Sequence, residues 1–393
     1  RLPAVFLGSV SLLLVALILR ELLSQIEDSQ SKRDLYVLVV TVVLAISPWH
    51  VIISRATQEV VLSFVFILMA IWVYLRKFSL QKSALPHERS FLQKSFYWAV
   101  FTASVLGTVY SYHSAKVFLP LLFGAWILQE IFFSGQNSDQ SFAQKLTSLT
   151  KPPQRIFKAL ALLLICAATV FVTTFMAKGA LARFSGVSIF ADPTPQLTLN
   201  TQISTATGAT PLPVLRILHN KATAYGLAAL RNYGQHFSLD FLVFGQEQPL
   251  RYHTPIQGLL YPVEVLLLAG GIYLFIRQEK FAPIRFKVLS WLFLAPIPSA
   301  LTSQEVPSMI RSLPMLVPIV FLIGVALVGI FQLKNRILKF GFIIAVAAAY
   351  SWSFAYFAHQ FFIEQPRYQP YHRSQAEFDV ADKMALYEKD YSK

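Results

Sequence analysis

Charged side chains are scarce in this chain of 393 residues: Asp, Glu, Lys and Arg together make up 14% of it, against about 25% in an average soluble domain. Hydrophobic residues reach 55%, and the mean hydropathy is +0.52. A soluble protein of this composition would expose large contiguous apolar patches, whereas in a lipid bilayer the same surface faces an apolar solvent. The composition therefore excludes an ordinary soluble protein and predicts an integral membrane protein.

Residue patterns that carry metal or nucleotide chemistry are also missing. The one cysteine, Cys166, lies inside an apolar run, so no disulfide can form within the chain. His359 and His372 stand singly, without the spacing of a metal site, and no glycine-rich phosphate loop occurs. We expect no metal, no cofactor and no intracellular nucleotide chemistry.

The excess of basic residues gives a net charge of +14, which invites a nucleic-acid partner. The Lys and Arg residues, however, lie in short clusters between apolar runs and form no basic face or stripe. We therefore exclude nucleic acid as a partner and interpret the clusters as charges that orient the protein in the lipid bilayer.

Ten apolar segments approach the roughly 20 residues that a helix needs to cross a bilayer core. They are roughly Pro3–Leu23, Leu35–Ser47, Val60–Leu75, Phe96–Val109, Val117–Ile131, Ile156–Phe175, Leu259–Ile276, Val288–Ala300, Leu313–Ile330 and Gly341–Phe357. The sequence predicts an all-α fold, a polytopic transmembrane bundle of about ten spans over residues 1–357, followed at 358–393 by the start of an extracytoplasmic segment.

An outer insertion interrupts the bundle at about 178–254. It opens rich in Pro and Thr from Ala191 to Pro213, which predicts a loop, and it continues with a helical pattern at Val214–Asn232.

Basic residues alternate from one connection between spans to the next. One set of connections holds clusters: Lys32 and Arg33; Arg76, Lys77, Lys82, Arg89 and Lys94; Lys145, Lys151, Arg155 and Lys158; Arg277, Lys280, Arg285 and Lys287; Lys334, Arg336 and Lys339. The opposite short connections hold one cation each, Arg55, Lys116 and Arg311. Because cytoplasmic loops are enriched in Lys and Arg, we expect a multi-pass plasma-membrane protein whose long loops are extracytoplasmic.

Polar side chains at the outer ends of the spans are the candidate site residues. They are His50, Arg55, Glu59, Tyr112, His113, Lys116, Arg251, His253, Glu264 and Arg311. An Arg fork at a membrane surface matches a phosphate group, and an ionisable residue within a span is a functional candidate. Arg55 and Glu59, spaced i and i+4, share a face if their segment is helical.

Structural alternatives stay open for each group. Arg55 can be an interfacial anchor, the 110–116 connection can be a hydrated turn, and Glu264 can snorkel to the membrane surface.

Several stretches carry a resemblance to a known family. They are Arg1-Leu-Pro-Ala4, Ser47-Pro-Trp-His50 with Arg55 and Glu59, Ser111-Tyr-His-Ser-Ala-Lys116 with Phe118-Leu-Pro120, Asn232-Tyr-Gly-Gln-His-Phe-Ser-Leu-Asp-Phe241, Arg251-Tyr-His253, Gly258-Leu-Leu-Tyr261, and Ala295-Pro-Ile-Pro-Ser-Ala-Leu301 followed by Arg311-Ser-Leu-Pro314. Together they resemble membrane glycosyltransferases of the GT-C class, most closely the family of protein O-mannosyltransferases and the bacterial aminoarabinose transferase (glycosyltransferase family 39-like).

The resemblance implies inverting transfer of a sugar from a polyprenyl-phosphate donor to an acceptor glycan, lipid or protein at the extracytoplasmic face. It implies that Arg55 and Lys116 bind the donor phosphate, although Lys116 stands where the family pattern has Arg. His50, Glu59, Tyr112, His113, Arg251, His253, Glu264 and Arg311 then line the cavity or contact the acceptor. The family's catalytic acid follows an earlier span, so we expect it to precede Arg1 and expect this chain to be a fragment.

Two other functions remain open. A polysaccharide polymerase or ligase would share the lipid-linked donor, and the 178–254 insertion is long enough for its outer loop. A transporter or lipid flippase would place charges near the middle of the membrane, often with internal repeats.

Overall fold

The computed structural model describes residues 2–56, 59–78, 91–133, 153–172, 186–206, 210–245, 254, 257–368 and 375–391. In this part of the chain every regular element is helical, and the only β-type pairings are two isolated bridges. The all-α prediction is confirmed over these residues.

The α-helices are α1 (Leu2–Leu23), α2 (Gln30–Ile46), α3 (Pro48–Arg55), α4 (Glu59–Val73), α5 (Phe91–Ser111), α6 (Ala115–Phe133), α7 (Pro153–Phe171), α8 (Thr194–Ala206), α9 (Leu212–Leu218), α10 (Lys221–Gln235), α11 (Pro262–Arg277), α12 (Ala282–Leu294), α13 (Ile297–Ala300), α14 (Leu316–Phe331), α15 (Arg336–His359), α16 (Gln365–Tyr368) and α17 (Gln375–Tyr391). Wider π-helical turns follow α4 at Tyr74–Phe78 and α15 at Gln360–Glu364, and another forms at Asp240–Phe244.

Five helical stretches are long and apolar enough to cross a membrane: Leu2–Leu23, Glu59–Phe78, Glu279–Ala300, Leu313–Phe331 and Arg336–Arg367. A sixth arises if α2 and α3, which meet at 59°, form one bent span. The remaining predicted segments coincide with helices α5, α6, α7 and α11. The structure supports a membrane protein with about five spanning helices, and the count of ten stays a prediction.

The outer insertion contains more helix than its composition predicts. The Pro- and Thr-rich stretch that we expected to be a loop forms α8. Asp192 accepts the Thr194 amide at 2.9 Å and starts the helix, while Thr198 and Thr205 hydroxyls bond back to the carbonyls four residues earlier. These local hydrogen bonds satisfy the threonine hydroxyl groups within the helix. The prediction of a loop was therefore wrong. The predicted helical pattern after Pro213 is confirmed by α9 and α10.

Two neighbouring glycines of α11 face different surroundings. A Cβ added at Gly271 would overlap the backbone carbonyl of Leu322 in α14, whereas a Cβ at Gly270 would meet only the Ala326 methyl at 4.0 Å. The α11–α14 contact therefore depends on the missing side chain at Gly271.

We expect Gly271→Ala to destabilise the protein by about 1–3 kcal/mol, because the added methyl must push two packed helices apart. The control is Gly270→Ala, which we expect to be neutral or stabilising by about 0.5–1 kcal/mol, since Ala is the better helix former. Thermal unfolding in a mild detergent measures both. Equal melting temperatures for the two variants would contradict the close approach of α11 and α14.

The two ends of the bundle differ in their polar contacts. At one end, which we call the basic end, α1 meets the π-helical turn that follows α4 through a 2.7 Å ion pair between Glu21 and Arg76. Lys287, which the charge alternation assigned to a loop at this end, lies instead within α12 and pairs with Glu130 of α6 at 3.1 Å, with both side chains fully buried. The opposite end, where α3 ends at Arg55, carries the candidate site residues that the structure describes.

Candidate functional site

A break between α2 and α3 is the centre of the candidate site. Pro48 opens α3, where a missing amide hydrogen costs nothing because the first amides of a helix have no partner within it. The next residue, Trp49, is fully buried. Its indole N–H donates to the Met309 carbonyl at 3.0 Å, its backbone N–H donates to the Leu259 carbonyl at 3.4 Å, and its ring meets Phe241 edge-on at 6.0 Å. Trp49 thus contacts three parts of the chain that are distant in sequence, next to the break between α2 and α3.

Arg55 is the last residue of α3 and is half-buried. The carbon of its guanidinium lies 4.6 Å from the ring centroid of Phe362 and 5.7 Å from that of Phe361. These contacts orient the guanidinium by cation–π attraction. The result is a cation set among apolar rings at the end of the bundle.

A row of aromatic rings connects Arg55 with Glu264. Phe361 stacks on Phe357 at 5.4 Å, and Phe357 meets Tyr261 edge-on at 6.4 Å. Tyr261 is in turn bonded to Glu264, since its backbone N–H donates to the carboxylate at 2.9 Å. The sequence reasoning did not select Phe357 and Phe361, although aromatic residues beside the last span are typical of a membrane interface.

Glu264 is fully buried and does not snorkel, so that alternative is wrong. Besides the Tyr261 amide, it accepts the hydroxyl of Tyr350 from α15 at 3.1 Å. Tyr261 also donates its own hydroxyl to the Ile46 carbonyl at 2.6 Å. Glu264 therefore ties the start of α11 to α15 and is enclosed by protein, while Tyr261 ties the start of α11 to the α2–α3 break.

His50 is buried and links α3 to α1. One ring nitrogen, Nε2, lies 2.9 Å from the hydroxyl of Ser11, which donates to the Gly8 carbonyl at 2.6 Å. The hydroxyl has one hydrogen, so it accepts a hydrogen bond from the imidazole when it donates to Gly8.

Arg55 and Glu59 do not share one helix face. The helix ends at Arg55, Ala56 adopts an extended conformation with ψ 108°, and Glu59 opens α4 as an exposed residue. The condition for the predicted i, i+4 pair is therefore not met.

The connection between α5 and α6 lies at the same end of the bundle as Glu59. Ser63, one turn into α4, donates to the Thr108 carbonyl at 3.3 Å, and the same carbonyl accepts the Tyr112 amide at 3.0 Å. Tyr112 is half-buried, and His113 after it is exposed. Lys116 follows as the second residue of α6 and is half-buried.

Arg311 organises the loop that precedes α14. Its Nη1 donates to the Thr302 hydroxyl at 3.3 Å and to the Glu305 carbonyl at 3.3 Å, and it also bonds the Gln304 carbonyl. These acceptors hold the guanidinium against its own loop. Two further predicted site residues, Arg251 and His253, lie outside the described residues.

His236 connects the outer insertion to the same loop. The ring is fully buried; Nδ1 lies 2.8 Å from the Asn232 carbonyl, and the Ser308 amide donates to Nε2 at 3.3 Å. These partners assign a neutral imidazole with its proton on Nδ1. Burial, assisted by the charge of Arg311, lowers the pKa of His236 from 6.5 to about 4.

The lowered pKa makes stability depend on pH. Between pH 6.5 and about 4 the unfolded chain takes up a proton at this site, whereas the folded chain does not. Stability is therefore complete above pH 6.5 and falls towards pH 4, by at most about 3 kcal/mol. Thermal unfolding between pH 7.5 and 4.5 should show this decline in the wild type and a flatter curve in His236→Gln. Parallel curves would contradict the buried neutral imidazole.

Among the residues that the structure describes, no group of three or more His, Cys, Asp or Glu side chains could hold a metal ion.

No protein-family model, no curated protein and no solved structure matches the chain.

Proposed function

We propose that the protein is a GT-C-like membrane glycosyltransferase of about ten spans in the plasma membrane. It transfers a sugar, with inversion, from a polyprenyl-phosphate donor to an acceptor glycan, lipid or protein at the extracytoplasmic face. The observation that carries the proposal is the position of Arg55: a guanidinium held 4.6 Å from the Phe362 ring at the end of a bundle of apolar helices.

The surroundings of Arg55 suit both parts of such a donor. Its guanidinium presents a fork of donors that matches phosphate oxygens. The adjoining Phe362, 46% exposed, gives apolar surface to the first isoprenoid units of the lipid tail. Lys116 supplies a second cation from the start of α6, at the end of the bundle that also carries Arg55.

The reaction forms one bond and breaks one. The acceptor oxygen attacks the anomeric carbon from the face opposite the phosphate, and the bond between that carbon and the phosphate oxygen breaks. A general base takes the proton of the acceptor hydroxyl. Arg55 and Lys116 stabilise the negative charge that develops on the departing polyprenyl phosphate.

The orientation of the proposal rests on the distribution of basic residues. The clusters at 32–33, 76–94, 277–285 and 334–339 favour a cytoplasmic basic end. Arg55, Lys116 and Arg311, which stand singly, then face the extracytoplasmic side.

A transfer assay tests the proposal. The natural full-length protein, reconstituted in liposomes, is given polyprenyl-phosphate sugar with a radiolabel in the sugar, together with an envelope extract as acceptor. We expect the label to move to an acceptor and unlabelled polyprenyl phosphate to accumulate in equal amount. Release of free sugar alone, or no loss of donor, would contradict sugar transfer.

A transporter or lipid flippase is the second candidate, and the 59° bend between α2 and α3 favours it. Broken helices form the substrate sites of many transporters. In the same liposomes a flippase moves the intact donor across the bilayer without separating sugar from lipid, so the chemical state of the donor distinguishes the two functions.

A further inference from the structure

A second site, outside the one described above, lies at the basic end of the bundle. An open cavity of about 490 Å³ is lined by Lys77, Leu92, Gln93, Phe96 and Tyr97. Lys77 is the penultimate residue of the candidate span Glu59–Phe78, and the other four belong to the first two turns of α5. The cavity therefore lies where two neighbouring helices reach the membrane surface.

The cavity has a polar part and an apolar part. The Lys77 ammonium lies 4.4 Å from the ring centroid of Tyr97, and the Tyr97 phenol and the Gln93 amide complete the polar lining. Leu92 and Phe96 form the apolar part, and they are 77% and 62% exposed. Side chains this apolar and this exposed at a helix end are favourable only when lipid covers them.

The helices behind the cavity are firmly packed. Phe78, next to Lys77, is buried; its ring packs at a tilt against Trp98 at 4.3 Å and edge-on against Phe101 at 5.5 Å. Arg76 lies over the Trp72 ring at 5.6 Å and pairs with Glu21 at 2.7 Å. Because these contacts fix the ends of both helices, the polar groups of the cavity are placed before any ligand arrives.

The charge and polarity of the cavity lining indicate which ligand the cavity binds. One ammonium, one phenol hydroxyl and one amide can together donate to the oxygens of a single phosphodiester, and the apolar wall fits an acyl chain. We propose that this cavity binds the headgroup of an anionic phospholipid such as phosphatidylglycerol from the membrane leaflet at the basic end. The site binds a lipid and performs no chemistry, and it does not depend on the sugar-transfer proposal.

Native mass spectrometry of the detergent-purified chain tests the proposal, with dioleoyl phosphatidylglycerol and dioleoyl phosphatidylcholine as probes. The wild type should retain the anionic lipid at least about fivefold more tightly, since one basic residue near an anionic surface contributes about that factor. Lys77→Gln should lose the preference. Lys334→Gln, an exposed lysine at the same end, should keep it and serves as the control.

A second variant separates the acyl contact from the charge. Leu92→Ala removes an exposed apolar wall and should weaken retention of both lipids without affecting the fold, whereas Lys77→Arg should keep the preference for the anionic lipid. Equal retention of both lipids by the wild type, an unchanged preference in Lys77→Gln, or displacement of phosphatidylglycerol by millimolar inorganic phosphate would each overturn the proposal. The last result would assign the cavity to free phosphate.

Discussion

Arg55→Ala should lower sugar transfer by the natural full-length protein at least about 30-fold, which corresponds to about 2 kcal/mol in the barrier. The leaving phosphate gains charge in the transition state, and loss of one preorganised donor to such a group costs about 2–4 kcal/mol. The Phe361 and Phe362 rings orient this guanidinium, so we expect that water cannot take its place in the same geometry. Initial rates with polyprenyl-phosphate sugar measure the effect.

Two variants control this prediction. Arg55→Lys keeps the charge but loses the fork, so its rate should fall between wild type and Arg55→Ala. Arg216→Ala removes an exposed arginine of the outer insertion and should leave the rate unchanged. Expression should not change in any of them, because a partly exposed cation–π contact contributes only about 0.5–1 kcal/mol. Near-normal transfer by Arg55→Ala would remove Arg55 from the site.

Lys287→Ala should destabilise the protein by about 3–5 kcal/mol, because it removes the ammonium that neutralises the buried Glu130 carboxylate. The two side chains meet at 3.1 Å and are fully buried, and neighbouring Trp126 donates its indole N–H to the Lys287 carbonyl at 3.3 Å and to the Ser290 hydroxyl at 3.0 Å. A loss of this size should appear as poor yield of monodisperse protein and a much lower melting temperature in detergent.

The double variant Lys287→Met with Glu130→Leu distinguishes the ion pair from simple packing. Removal of both charges takes away the unpaired carboxylate, and well-packed apolar replacements of a buried pair are often neutral. We expect the double variant to melt close to the wild type, and Lys334→Ala, at an exposed position, to have no effect. A double variant less stable than Lys287→Ala would show that the charges themselves stabilise the bundle.

The sequence predicted the helices better than the connections between them. Apolar runs such as Leu313–Ile330 coincide with helices because length and hydropathy suffice to define a span. The end of α3 at Arg55 was not predictable, because no Gly or Pro follows it to stop the helix, yet Ala56 adopts an extended conformation. The Pro- and Thr-rich composition likewise led to a loop prediction where α8 forms, because local side-chain hydrogen bonds stabilise this helix.

Contacts between distant residues explain most of what the sequence missed at the site. Glu264 has a half-buried tyrosine partner 86 positions away in Tyr350, and nothing in either local sequence indicates the pair. Lys287 was assigned to a loop because the alternation pattern treats every basic residue as a loop charge. In the structure Lys287 lies within a helix and pairs with Glu130. Arg55 was predicted as a phosphate-binding residue from its place near the membrane surface, and its aromatic partners Phe361 and Phe362 emerge only from the tertiary structure.

The central claim is that the end of the bundle at Arg55 receives an anionic lipid headgroup, and equilibrium binding tests it most directly. The purified chain in detergent is titrated with polyprenyl phosphate and with the matching uncharged polyprenol. We predict that the phosphate binds at least about tenfold more tightly, since a charge-assisted hydrogen bond contributes about 1.5–3 kcal/mol, and that Arg55→Ala removes this preference. Equal affinity for the two lipids, or an unchanged preference in Arg55→Ala, would contradict the claim.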